Sequence, residues 1–215
     1  MEPVKDKKER AGRIVKLLKK EYPGAKCSLD FKTPHQLLVS TILSAQSTDQ
    51  RVNIVTPELF RKYKSAKDFA EADIKELEQD IKSTGFFRNK AKAIKNSAKK
   101  IVDEFGGKVP DNMDDLVELP GVGRKTASVV LGTAYGRAEG VVVDTHVNRL
   151  TNRLGLTREK NPEKIEKDLM EIIPKKDWIV FSHLMIDHGR AICKARKPDC
   201  DNCVLYKLCP SAGKI

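Results

Sequence analysis

The chain has 215 residues, 40 % of them hydrophobic and 33 % charged, which excludes a disordered polypeptide and suits one large domain or two smaller ones sharing a core. Forty-one Lys and Arg against thirty Asp and Glu leave a formal net charge of +11, the balance of a polyanion binder, with nucleic acid the leading partner. The charged opening Glu2-Pro3-Val4-Lys5-Asp6 has no apolar run behind it, and no later stretch approaches the roughly 20 apolar residues of a membrane span, so the expectation is a soluble, intracellular protein without a membrane partner.

Helical periodicity then runs through the chain in order. Ile14, Leu17 and Leu18 begin it, and Thr33-Pro34 places a capping residue before a first-turn proline to open a helix over residues 36–46. Ala91, Ile94, Ala98, Ile101, Val102 and Phe105 form one apolar stripe with Lys92, Lys99 and Lys100 outside it, and Gly106-Gly107 stops that helix. Val141-Val142-Val143 alone reads as extended, and three residues do not make a sheet. A doubled Asn-Arg-Leu, at 148–150 and 152–154, has the four-residue spacing of one helix face. Asn161-Pro162-Glu163 opens a helix carrying Ile165, Leu169, Ile172 and Ile173, and a last stripe holds Trp178, Phe181, Met185, His188 and Ile192. The fold class predicted is all-α with short connections and no internal repeat.

Leu116-Val117-Glu118-Leu119-Pro120-Gly121-Val122-Gly123-Arg124-Lys125-Thr126-Ala127 reads as helix, tight glycine hairpin, helix. Gly121 and Gly123 are free to take backbone angles closed to other residues. Without side chains there, a phosphate can approach the main chain around Val122 and Arg124 at the start of the second helix. Such donors bind the DNA backbone without reading sequence. Lys125 lies in the first turn of an otherwise small, apolar helix, where burial and the positive helix end would both disfavour the ammonium and favour a nucleophilic amine; the plainer reading is a phosphate-contacting or solvated lysine. Asp144, after the valine run, is either a helix cap or an acidic partner able to accept a proton and stabilise positive charge on a departing sugar.

Four of the five cysteines crowd together as Cys193, Cys200, Cys203 and Cys209, a C-x6-C-x2-C-x5-C run that argues for a metal centre over a secreted disulfide scaffold. Spacing alone leaves a structural zinc open, and with it a non-enzymatic DNA-binding module in which Lys125 only touches phosphate and Asp144 only caps. Lys194, Arg196 and Lys197 fall between the first two cysteines, in a loop whose shape such a centre would fix for phosphate contact. Cys27 belongs to no motif.

Taken together, Leu43-Ser44-Ala45-Gln46-Ser47-Thr48-Asp49, residues 85–91, residues 119–127, Val143-Asp144-Thr145-His146, His188-Gly189-Arg190 and the cysteine run with Ala195-Arg196-Lys197-Pro198 resemble the helix-hairpin-helix DNA glycosylase superfamily, in its iron–sulfur, endonuclease III type, over nearly the whole chain. The resemblance implies a six-helix domain (28–137) and a cluster domain (1–27 with 138–215) flanking a DNA cleft. It implies a monomeric, nucleoid-associated cytoplasmic enzyme on double-stranded DNA that excises oxidised pyrimidines and then cleaves the strand. Lys125 matches the family nucleophile that forms a Schiff base before β-elimination, Asp144 its aspartate partner, and the four cysteines the ligands of a [4Fe–4S] cluster. Gln46 matches the residue that fills the gap left by a flipped base. Phe86 stands where the family usually carries an aliphatic wedge, and the alternative for it is a core aromatic; Ser128 replaces an asparagine common after Lys-Thr-Ala. Relatives acting only as glycosylases lack a lysine at the position of Lys125.

Overall fold

The computed structural model describes residues 2–214. Among them every regular element is helical, and none is long and apolar enough to cross a membrane. The chain divides into two compact units, one formed by residues 1–27 with 140–215, the other by 28–139.

The first unit opens with α1 (Val4–Glu21), which turns Ala11, Ile14, Val15 and Leu18 inward and leaves its lysines outside; Leu17, expected on the stripe, is 36 % exposed at its margin. In the second unit, α2 (Pro34–Ser44) begins as its cap dictates, with Thr33 accepting the N–H of Gln36. It ends at Ser44, two residues short of the expected 46, because the chain turns back: Ser47 donates to the Ser44 carbonyl and Gln46 takes the left-handed region, φ +55°. There follow α3 (Asp49–Lys62), α4 (Ala66–Glu71), α5 (Ile74–Asp80), a 3-10 turn (Lys82–Thr84) and α6 (Phe87–Phe105). The stripe read from the sequence holds at its centre: Ala91, Ile94, Ala98 and Ile101 are buried, Val102 and Phe105 are half-buried at its margin, Lys92 and Lys99 are exposed and Lys100 is half-buried, and Gly106 and Gly107 close the helix at positive φ. Short α7 (Met113–Val117) and α8 (Arg124–Tyr135) complete this unit, with Leu37, Leu38, Leu43, Phe69, Leu77, Ile81 and Leu116 among its buried side chains.

Back in the first unit, residues 141–143 join no strand; Val141 and Val143 are buried and the Val142 carbonyl accepts the Ser182 hydroxyl. Then come α9 (Thr145–Arg153), α10 (Pro162–Ile172), opened by Asn161 accepting the N–H groups of Glu163 and Lys164, and α11 (Trp178–Ala191). One apolar cluster binds these helices to α1, with Phe181, Leu184 and Met185 fully buried beside Ile14, Leu18, Leu150 and Ile165. Burying a side chain of this size stabilises by about 1.5–3 kcal/mol, so the cluster holds the two chain ends together without a sheet or disulfide.

Candidate active site and metal centre

In the unit of residues 28–139, the glycine hairpin is a chain of local hydrogen bonds anchored by two apolar plugs. Leu119 N–H donates to Leu116 O at 3.2 Å and Val122 N–H to Leu119 O at 3.0 Å, while the side chains of Leu119 and Val122 are buried. Val122, expected to face DNA, is instead the anchor of the turn with its N–H engaged inward. Gly121 has φ +79°, and a Cβ there would stand 2.5 Å from the Ala93 Cβ on α6; conformation and space both demand glycine. Gly123 differs from the expectation: its φ of −89° is open to any residue. What its missing side chain provides is open space in front of α8, whose first turn has no side-chain cap.

Arg124 and Lys125 follow at that uncapped helix start, both exposed. The expectation that Lys125 is desolvated by its own helix is therefore corrected. Ala127, Val130 and Leu131 take the buried face of α8, and the first turn points Lys125 away from them.

Two other residues of this unit share an unusual conformation. Gln46 and Phe86 are exposed, and both have positive φ, +55° and +47°, at positions where neither is a glycine. Such backbone costs of order 1–3 kcal/mol and tends to be kept where it serves a function. Phe86 is 63 % exposed, which removes its alternative as a core aromatic.

In the other unit, Asp144 is half-buried and caps α9, its Oδ1 accepting the Val147 N–H at 2.8 Å. Its carboxylate, with that of Asp187, acts on the imidazole of His183, whose pKa is lowered by burial against the pull of both acids. His183 had no sequence signal beyond lying on the helix of the last stripe.

The four cysteines of the run are half-buried, none is in a disulfide, and all line one apolar cavity with Leu150, Leu154, His188 and Leu205. Among the described residues no three His, Cys, Asp or Glu side chains converge on one ion position, while all four cysteines line the same cavity. Burial pushes the thiols of Cys203 and Cys209 up, and the neighbouring cysteines add to it; four thiolates here call for compensating positive charge. The surroundings supply polar partners as well, with Arg153 Nη1 donating to Cys193 Sγ at 3.3 Å and His188 Nε2 lying 3.4 Å from Cys203 Sγ. This donor set fits an iron–sulfur cluster.

The loop between Cys193 and Cys200 is held from below by the doubled Asn-Arg-Leu. Leu150 and Leu154 are buried, while Arg149 donates to the carbonyls of Gly189 and Cys193, and Arg153 to those of Lys194 and Ala195. Lys194, Arg196 and Lys197 are exposed on that loop, Lys197 with φ +52°. The repeat was visible in the sequence; that its two arginines grip the cysteine loop was not.

The chain thus combines a glycine hairpin that opens an uncapped helix with a four-cysteine centre beside a basic loop. A family model described as the HhH-GPD superfamily base excision DNA repair protein matches residues 39–175, and a second, the iron–sulfur binding domain of endonuclease III, matches residues 193–209. The endonuclease III of Synechocystis sp. is 60 % identical over 206 residues, 96 % of this chain and 94 % of the relative. The structure of a non-covalent endonuclease III–DNA complex matches with TM-score 0.90 and 44 % identity, covering 95 % of this chain and 96 % of that one. That of a trapped endonuclease III–DNA covalent intermediate matches with TM-score 0.90 and 43 % identity over the same shares, 95 % and 96 %. The chain belongs to the endonuclease III family. It is a DNA glycosylase with AP lyase activity, acts on DNA in base excision repair, and carries a [4Fe–4S] cluster.

Proposed function

We propose that Lys125 is the nucleophile and Asp144 its acidic partner in the excision of oxidised or ring-saturated pyrimidines from double-stranded DNA. The ε-amine of Lys125 attacks C1′, the bond to the damaged base breaks, and the base leaves with the bonding electron pair and takes up a proton. The Lys125–C1′ adduct opens to a protonated Schiff base. Loss of a proton from C2′ then expels the 3′ phosphate in β-elimination, and water releases the sugar fragment from Lys125. Asp144 stabilises the positive charge that grows on the sugar and accepts a proton from the attacking amine. Its capping bond to Val147 engages one oxygen and holds the carboxylate in place.

The observation that carries this reading is a lysine exposed in the first turn of α8, one residue after the uncapped hairpin start, where a phosphate bound at the Gly123–Arg124 main chain would set a sugar within its reach. Exposure means that the DNA itself, by covering Lys125, supplies the desolvation the free protein lacks. Gln46 fills the gap left by the flipped nucleotide, Phe86 acts as the wedge, Gly121 permits the tight turn, and Lys194, Arg196 and Lys197 contact phosphates. Cys193, Cys200, Cys203 and Cys209 hold the cluster, whose role is to fix that basic loop. Residues 28–137 correspond to the domain expected to have six helices, which here carries seven, α2 to α8, and 1–27 with 138–215 form the cluster domain of a monomer working at the nucleoid.

Borohydride trapping on a duplex with a single thymine glycol or abasic site tests the assignment. Wild type should give a covalent complex and Lys125→Ala none, while DNA binding persists. A complex trapped with Lys125→Ala would place the Schiff base on another amine.

A further inference from the structure

We infer that Lys90 is a positioning residue for base flipping: its ammonium ties together the two segments that present Gln46 and Phe86. This rests on the reading of those two residues as gap filler and wedge. Lys90 is one of nineteen residues of α6, yet unlike Lys92 and Lys99 it is only 5 % exposed. Its Nζ donates at 2.8 Å to the carbonyl of Leu43 and at 2.8 Å to the carbonyl of Thr84. No acid takes part in this arrangement, and burial lowers the Lys90 pKa.

Both acceptors are helix-end carbonyls. Leu43 lies in the last turn of α2, where carbonyls lose their intrahelical partners, and Thr84 is the last residue of the 3-10 turn. Two terminal carbonyls, one from a helix and one from a 3-10 turn, thus accept from one ammonium. Gln46 follows three residues after Leu43 and Phe86 two residues after Thr84. The Lys90 main chain closes the loop from the other side, since its N–H donates to the Phe86 carbonyl at 3.1 Å. The two non-glycine residues of this unit with positive φ therefore both leave segments pinned by a single side chain. Their strained backbone persists only if its surroundings over-determine it.

Placing a side chain into a base stack is sensitive to position; displacements of about 1 Å cost up to about 100-fold in rate. Removing the ammonium frees the two segments from each other, and the loss should appear only where a stacked, paired duplex has to be opened. We compare Lys90→Met, which keeps the stem and removes the donors, with wild type, Gln46→Ala and Phe86→Ala. Each is assayed in single turnover for cleavage at an abasic site, in a paired duplex and in the same single strand. In the duplex, 2-aminopurine opposite the site reports insertion by its fluorescence. An abasic site bypasses any question of which damaged base is preferred.

Lys90→Met should lower the duplex rate relative to the single-strand rate by about 10- to 100-fold and weaken the 2-aminopurine signal, as the other two variants do. Equal losses on both substrates would make Lys90 merely structural, and a wild-type ratio would remove it from flipping; either overturns the inference. If Gln46→Ala and Phe86→Ala keep the wild-type ratio, it is the gap-filler reading that fails. Should Lys90→Met not fold, Lys90→Arg, which keeps donors but changes their reach, must lower the same ratio, and an unchanged ratio overturns the inference.

Discussion

Asp144 caps α9 and, in the proposed mechanism, also stabilises the sugar cation, and substitution can separate the two roles. Its Oδ1 accepts the Val147 N–H at 2.8 Å and opens α9, the helix whose Arg149 and Arg153 grip the cysteine loop. Removing a cap of this kind costs about 1 kcal/mol, and the carboxylate at the positive helix end adds about 0.5 kcal/mol. Asp144→Ala should therefore lose about 1.5 kcal/mol, which for a chain of this size lowers Tm by about 3–6 °C. Asn caps as well as Asp, so Asp144→Asn should lose only the charge contribution, about 0.5 kcal/mol and about 1–2 °C. In catalysis the order differs, because neither variant retains an anion: both should fall at least about 100-fold in single-turnover base release. Calorimetry and the kinetics are run on the same samples, with cluster absorbance near 400 nm confirming that the centre is intact. Asp144→Asn with wild-type turnover would leave the cap as the only role of this residue. A Tm equal to wild type for Asp144→Ala would refute the energetic argument instead.

The two hairpin glycines should respond in opposite ways. Gly121→Ala forces a methyl-bearing residue into φ +79° and against Ala93, a loss of about 2–3 kcal/mol visible as a fall in Tm, whereas Gly123→Ala, with ordinary φ and open space, should leave Tm within about 0.5 kcal/mol of wild type yet weaken DNA binding in fluorescence anisotropy. Comparable Tm losses in both would contradict the geometry. Burial also lowers the His35 pKa to about 4 from 6.5, so below pH 6.5 the unfolded chain takes up a proton that the folded one refuses. That contribution to stability is complete above pH 6.5 and is lost as pH falls toward 4. With part of the ring still in contact with water, the loss should be on the order of 1–2 kcal/mol, and His35→Phe should flatten the Tm–pH curve by that amount over this range; an unchanged slope would assign the acid sensitivity to other groups.

What was legible in the sequence was whatever lies within one turn of helix or one hairpin. Thr33 and Asn161 cap where they were expected to, the centre of the α6 stripe is buried, and Gly106-Gly107 ends it, because each of these is decided by neighbours three or four residues away. The cysteine centre was legible for a related reason: four thiols within seventeen residues cannot lie far apart. Gly121 was legible from its turn, although the contact with Ala93 that makes it obligatory comes from a helix elsewhere in the chain. The C-terminus of α2 was misread because Gln46 continues the helical pattern in composition while its backbone reverses.

The lysines show why the rest was hidden. Lys90 stands in the run Arg88-Asn89-Lys90-Ala91-Lys92, where nothing in composition separates it from its neighbours, and its burial depends on a carbonyl 47 residues away. Lys125 carries the opposite lesson. Small apolar neighbours suggested a buried amine, but on a helix the side chains adjacent in sequence point to different faces, and Ala127, Val130 and Leu131 take the core while Lys125 does not. The two positions thus exchange the environments their sequences imply. A lysine buried for good is tied to two carbonyls and serves as a strut, whereas a lysine meant to attack has to remain accessible to a large polyanionic substrate until that substrate covers it. If Lys125 is the nucleophile proposed above, its activation belongs to the complex, and a lysine that must meet DNA before it is desolvated cannot be recognised from the free chain by burial alone.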